Sequence, residues 1–209
     1  MLKLLSSKWL KVPVFLLCLG PLGIVGWRAL NGDLTANPIE FITHATGDWA
    51  LRFLIITLAI TPLRIILGLP ELIRFRRMLG LFAFFYACLH FSTWLVLDKF
   101  FDMSEIWKDV IKRRFITVGF SAFLLLIPLA ITSTAGWIRR LGGKRWQALH
   151  RLIYVSATLA VIHYYWLVKS AIIRPLAYAA ILAILLLFRI IVWFWFTKRH
   201  PKPTPALPV

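Results

Sequence analysis

Six stretches of this chain are long and apolar enough to span a bilayer: about 9–29, 49–67, 78–97, 115–133, 150–168 and 172–196. A helix crosses the roughly 30 Å hydrocarbon layer with about 20 such residues. Within that layer the backbone must satisfy its own hydrogen bonds, and uninterrupted runs of this length do so as helices. The chain is therefore expected to be all-α, an integral membrane bundle of six transmembrane helices. Residues 1–199 form one membrane domain in this reading. The Pro-rich tail 200–209, HPKPTPALPV, is expected to be extended or disordered, and His200 in it to be incidental.

A formal charge of +17 is compatible with nucleic-acid binding, but its distribution points to a membrane. Sixteen of the 25 Lys and Arg residues fall on one side of the six spans, among them Lys3, Lys8, Lys11, Arg64, Arg74, Arg76, Arg77, Arg139, Arg140, Lys144 and Arg145. Basic residues mark the cytoplasmic side, so both termini are expected to be cytoplasmic, with no nucleic-acid partner. The N-terminus looks like a signal peptide, but no A-x-A-type cleavage site follows, which favours an uncleaved first span. Cys18 and Cys88 share no metal or redox spacing and read as small buried hydrophobes. No internal repeat stands out.

Ionisable residues inside lipid are costly, and they usually face the protein interior and serve a purpose. Three histidines belong to apolar runs: His90, His150 and His163. His90 lies 13 residues after Arg77, and His163 lies 13 after His150. At 1.5 Å per residue, both stand about 20 Å in from the cytoplasmic edge. Two imidazoles on different helices at one depth suit a bis-histidine heme, whose filled coordination favours electron transfer over oxygen chemistry. Gly80, Ala83 and Ala87 share the face of His90, and Ser156 and Ala160 that of His163, which would leave room for a flat macrocycle. Close helix packing would use small residues equally well.

His150 fits this scheme less well. Thirteen residues turn an ideal helix by about 1300°, so His150 should point some 140° away from His163. It could ligate a second heme, contact a quinone or flavin, or cap the helix. Arg52 pairs with Asp48 at i,i+4, either as an interface ion pair or with Arg52 reaching inward to an anionic group such as a heme propionate. His44, in the first outer loop, reads as a solvated surface residue. Residues 98–114 carry Phe100, Met103, Trp107, Val110 and Ile111 at helical spacing, an amphipathic helix for the outer surface that could also help dock a partner. The basic segment 136–149 reads as an inside loop.

Three blocks carry a resemblance: LFAFFYACLH, KRRFITVGFSAFLLLIPLAITS and RRLGGKRWQALHRLIYVSATLAVIHYYW, in that order. They resemble the MsrQ (YedZ) family, heme-binding membrane subunits of the bacterial periplasmic protein-methionine-sulfoxide reductase system, within the ferric-reductase-like transmembrane group. The resemblance covers nearly all the chain after the first span. It implies functional histidines at His90, His150 and His163, heme b and flavin mononucleotide as cofactors, and the bacterial inner membrane as location. It also implies electrons drawn from the quinone pool or a flavin reductase and delivered to a periplasmic molybdopterin-containing subunit that repairs methionine sulfoxide. The chain would then be an electron-transfer subunit rather than the catalytic one.

No G-x-G-x-x-G fingerprint is present, and no loop is large enough for a soluble catalytic domain, in keeping with a separate donor and acceptor. A self-contained ferric or quinone reductase with a small diffusible acceptor is the alternative. A small transporter or assembly factor with incidental histidines is a third, against which the lack of broken midplane helices counts.

Overall fold

A computed structural model describes residues 8–168 and 171–199; the tail 200–209 and Lys3 lie outside it. Among the described residues the regular structure is entirely helical. In chain order the α-helices are α1 (Lys11–Leu30), α2 (Pro38–Leu67), α3 (Ile73–Ser92), α4 (Met103–Lys112), α5 (Arg114–Ile131), α6 (Ala135–Leu141), α7 (Gly143–His150), α8 (Leu152–Leu167) and α9 (Ile173–Arg199). Five of the long helical segments are apolar enough to cross a membrane: α1, α2, Pro70–Asp98 containing α3, α5 and Ile173–Trp195 of α9. The expected fifth span, α8, has 16 residues and is shorter than these.

α2 begins where its residues can cap it. Asn37 accepts from the Glu40 backbone N–H (3.2 Å), and its amide donates to the Glu40 carboxylate (3.1 Å). Pro38 follows at the first turn, where its missing N–H costs nothing. The helix stops at Gly68, in the left-handed region at φ 64°. Its 30 residues make it about 45 Å long, well beyond the bilayer core. The expected span at 49–67 thus gains an N-terminal extension, which places His44 on a helix rather than in a loop. There it is half-exposed, 3.9 Å from the Glu40 carboxylate.

α2 packs along α3, and α5 along α8; these are the two most extensive helix pairings. Where α3 crosses α2, Ala83 is completely buried and Gly80 faces the Thr57 methyl. The outer surfaces stay apolar: Ile184, Leu187, Ile190 and Trp193 of α9 are all more than half exposed, as a lipid-facing helix requires. Arg189, on the same helix, turns inward. It donates to the Leu58 carbonyl (2.6 Å) and the Tyr154 hydroxyl (3.3 Å), so its charge is shielded from the apolar face.

Two segments between the long helices are helical. α3 continues through a π-helical turn, Thr93–Asp98, into a tight turn with Phe100 and Phe101 at φ 47° and 60°. α4 then starts on Asp102, which accepts from the Ser104 and Glu105 N–H groups. It is the expected amphipathic helix, with Met103, Trp107 and Ile111 exposed. The basic segment 136–149 is not plain loop but two short helices, α6 and α7, separated at Gly142 (φ 73°). Thr134 caps α6 by accepting from the Trp137 N–H.

α1 contains Pro21, which contributes no N–H to the helix. Beside it the Tyr86 hydroxyl accepts from the Leu22 N–H (3.1 Å) and donates to the Cys18 carbonyl (2.9 Å), bridging two groups four residues apart. Tyr86 is 1% exposed, so this hydroxyl has no water to fall back on. Tyr86→Phe should therefore cost about 0.5–1.5 kcal/mol, the net contribution of a hydrogen bond, since the Leu22 N–H and Cys18 carbonyl can still pair with each other along the helix. Lower thermal stability in detergent, with faster proteolysis near α1, would be the readout; a wild-type melting curve would count against the bridge.

Candidate functional site

A cavity of about 720 Å³ lies among α2, α3, α5 and α8. His90 of α3 and His163 of α8 both line it, their ring centres 6.1 Å apart and their planes at 71°. Of the small residues expected to make room, Ala87, Ser156 and Ala160 do line it. Gly80 and Ala83 do not: they are consumed in packing α3 on α2, because the face they share with His90 is the face that meets the neighbouring helix. One wall is aromatic. Phe91 and Phe123 stack at 4.9 Å with planes 17° apart, and Phe120 joins them at 5.8 Å from Phe91.

Both imidazoles are held by backbone. His90 Nδ1 is 2.9 Å from the Thr43 carbonyl of α2, and His163 Nδ1 is 2.7 Å from the Phe115 carbonyl of α5. A carbonyl can only accept, so each Nδ1 carries the proton and each Nε2 keeps its lone pair. This is the arrangement seen around metal-bound histidines, where the second ring nitrogen donates to a carbonyl or carboxylate and fixes the tautomer. Metal–nitrogen bonds of about 2 Å on both sides, plus roughly 1 Å from nitrogen to ring centre, put two trans imidazoles about 6 Å apart, which matches the pair. Among the described residues no cluster of three or more His, Cys, Asp or Glu could hold a metal. An ion between the two rings would take its other donors from something that is not a side chain, as the four nitrogens of a porphyrin are. The residues therefore fit a heme.

His150 is not brought to this pair. It ends α7, and Arg151 separates it from α8 through hydrogen bonds of the tighter i,i+3 kind. It does not sit at the head of the helix that carries His163, and its ring stacks on Trp146 at 3.9 Å. The Thr132 hydroxyl donates to the Pro128 carbonyl, which leaves its oxygen to accept from His150 Nε2 at 3.0 Å. Trp146 Nε1 donates to the Thr132 carbonyl (2.9 Å) and completes the cluster.

Arg52 also stands outside the cavity lining. It is 3.5 Å from Asp48, donates to the Tyr178 hydroxyl (3.1 Å), and lies over the Trp49 ring. The arginine that does line the cavity is Arg113, near Asp98 and Phe100. Asp109, almost fully buried, holds both Lys99 (2.7 Å) and Arg113 (3.1 Å). That hydrogen bond raises the Lys99 ammonium above its usual range. Nothing in the composition of this segment marks Asp109 or Arg113; their i,i+4 spacing is the signal the sequence offers. The carbonyls of Thr43 and Phe115 carry no side-chain signature at all.

Comparison with known proteins gives a consistent result. Residues 46–161 match the family described as "Ferric reductase like transmembrane component". A protein of Herminiimonas arsenicoxydans named "Protein-methionine-sulfoxide reductase heme-binding subunit MsrQ" is 58% identical, over 92% of this chain and 88% of its own. Proteins of the same name are 53% identical in Rhodospirillum rubrum (87% of each chain) and 49% identical in Caulobacter vibrioides (85% of this chain, 84% of its own).

Asp109→Ala should release Lys99 and Arg113 together and unpin this end of the cavity. Hydrogen exchange across residues 98–114 is expected to rise at least tenfold, about 1.4 kcal/mol of local stability. Unchanged protection there would show that α4 is held by its apolar residues instead.

Proposed function

The chain belongs to the MsrQ family of heme-binding subunits of the methionine-sulfoxide reductase system, a ferric-reductase-like multi-pass membrane family, and on that footing we propose that His90 and His163 are the axial ligands of a b-type heme. The observation that carries this reading is the pair itself: two imidazoles 6.1 Å apart, each with Nδ1 committed to a backbone carbonyl and Nε2 left to bind. A heme bound there supplies a one-electron carrier without an open coordination position for oxygen. The protein's part is to fix both rings, exclude water with the aromatic wall, and set the depth of the site.

The rest of the scheme follows the family. α8 also crosses, as the fifth of six spans, both termini face the cytoplasm, and the membrane is the bacterial inner membrane. Electrons enter from the quinone pool or a flavin reductase and leave to a periplasmic molybdopterin-containing subunit. The exposed Met103, Trp107 and Ile111 face of α4, beside the cavity, supports a partner approaching from that side. Flavin mononucleotide rests on family resemblance alone, since no residue pattern marks its site. His150, packed on Trp146, serves the opposite end of α5 from that cavity, where it belongs to a second cofactor or to the helix junction. Arg52 acts as an interface cation, with the propionate role assigned instead to the cavity-lining Arg113.

The test is a reduced-minus-oxidised optical spectrum with heme quantitation. His90→Ala and His163→Ala should each lose at least nine-tenths of the heme bound at this site, while His150→Ala retains it. Wild-type protein without heme, or both variants with wild-type spectra, would overturn the assignment. In the same preparations, reduction of a small acceptor with no partner present would favour the self-contained reductase.

A further inference from the structure

The two histidines rest on neighbouring helices in the same way. The carbonyl that His90 uses belongs to Thr43, four residues before Gly47; the one His163 uses belongs to Phe115, four residues before Gly119. In an α-helix the carbonyl of residue i already accepts from the N–H of residue i+4. Each imidazole thus adds a second donor to a carbonyl whose helical partner is a glycine, and lies across that glycine's bare backbone.

The space is tight. A Cβ on Gly47 would stand 2.9 Å from His90 Nδ1 and 3.0 Å from its Cε1. A Cβ on Gly119 would stand 2.6 Å from His163 Nδ1 and 2.8 Å from its Cε1. These are closer than carbon approaches ring atoms, so any side chain at either position displaces the imidazole that Nδ1 anchors. Gly80, by contrast, has only the Thr57 methyl near it, at an ordinary 3.6 Å.

The same pieces recur in sequence. Ala87-Cys88-Leu89-His90 parallels Ala160-Val161-Ile162-His163, and both alanines line the cavity. His90 follows its glycine by 43 residues and His163 follows its own by 44. No repeat is evident from the sequence until the contacts pair these positions.

We propose that Gly47 and Gly119 are positioning residues for the two ligands: each leaves a bare patch of helix on which one imidazole lies flat enough to donate Nδ1–H to the carbonyl one turn earlier. This makes Nε2 the ligating atom on both sides and fixes the angle between the rings. The inference rests on the heme assignment above, and its test separates the two.

Gly47→Ala, Gly119→Ala and the control Gly80→Ala are compared with wild type for heme per protein, low-spin electron paramagnetic resonance signal and midpoint potential. Gly47→Ala and Gly119→Ala should each fall to half the wild-type heme or less, or keep heme with an altered low-spin signal and potential. Gly80→Ala should match wild type. If both site variants match wild type in all three measurements while His90→Ala and His163→Ala lose heme, the glycine proposal falls and the heme assignment stands. Wild type without heme removes both. Should an alanine variant fail to fold, nitrogen-15 histidine spectra of reduced wild type decide instead. Two rings protonated at Nδ1, with slow proton exchange, are expected; protonation at Nε2 or exchange at solvent rates in either ring overturns the proposal.

Discussion

The structure depends on the hydrogen bond between an imidazole N–H and a main-chain carbonyl of another helix, made twice. In water such a bond contributes little, because water competes for both partners. In an apolar interior the competitor is gone, and an unpaired ring nitrogen becomes the costly alternative. Each bond therefore holds two helices in register as well as one ring in orientation. α3 is held to α2 through Thr43, and α8 to α5 through Phe115. The cavity is the space these two locked pairs leave between them.

A good deal of this was legible in the sequence. Apolar runs bounded by arginines placed the long helices, and counting residues from Arg77 and from His150 put His90 and His163 at one depth; their rings meet side by side. His150 is not on the same helix as His163, since the chain tightens at Arg151. The angle of about 140° belongs to one continuous ideal helix, so it does not apply across that joint.

The remaining ambiguities have a common cause. Small residues on a lipid-embedded helix can face a cofactor or a neighbouring helix, and Ala87 does the first while Gly80 and Ala83 do the second. Only the position of α2 separates these outcomes, and pattern on α3 cannot supply it. Likewise, Arg52 could serve as an interface ion pair with Asp48 or reach inward to an anionic group. Asp48 and Tyr178 satisfy it locally, and Arg113, inside a visibly charged segment, is the one at the cavity. Helix starts were missed where the caps are polar and lie outside the apolar runs, as at Asn37 and Thr134.

The Tyr86 bridge bears on the order in which the chain assembles. α1 is made before α3 and reaches the membrane before it, but the hydroxyl that ties its Cys18 carbonyl and Leu22 N–H lies 68 and 64 residues further on, respectively. Until α3 has been synthesised and has crossed, that part of α1 lacks this partner. α1 therefore inserts before the helix that completes its docking, and α3, which also carries His90, is the piece for which it waits.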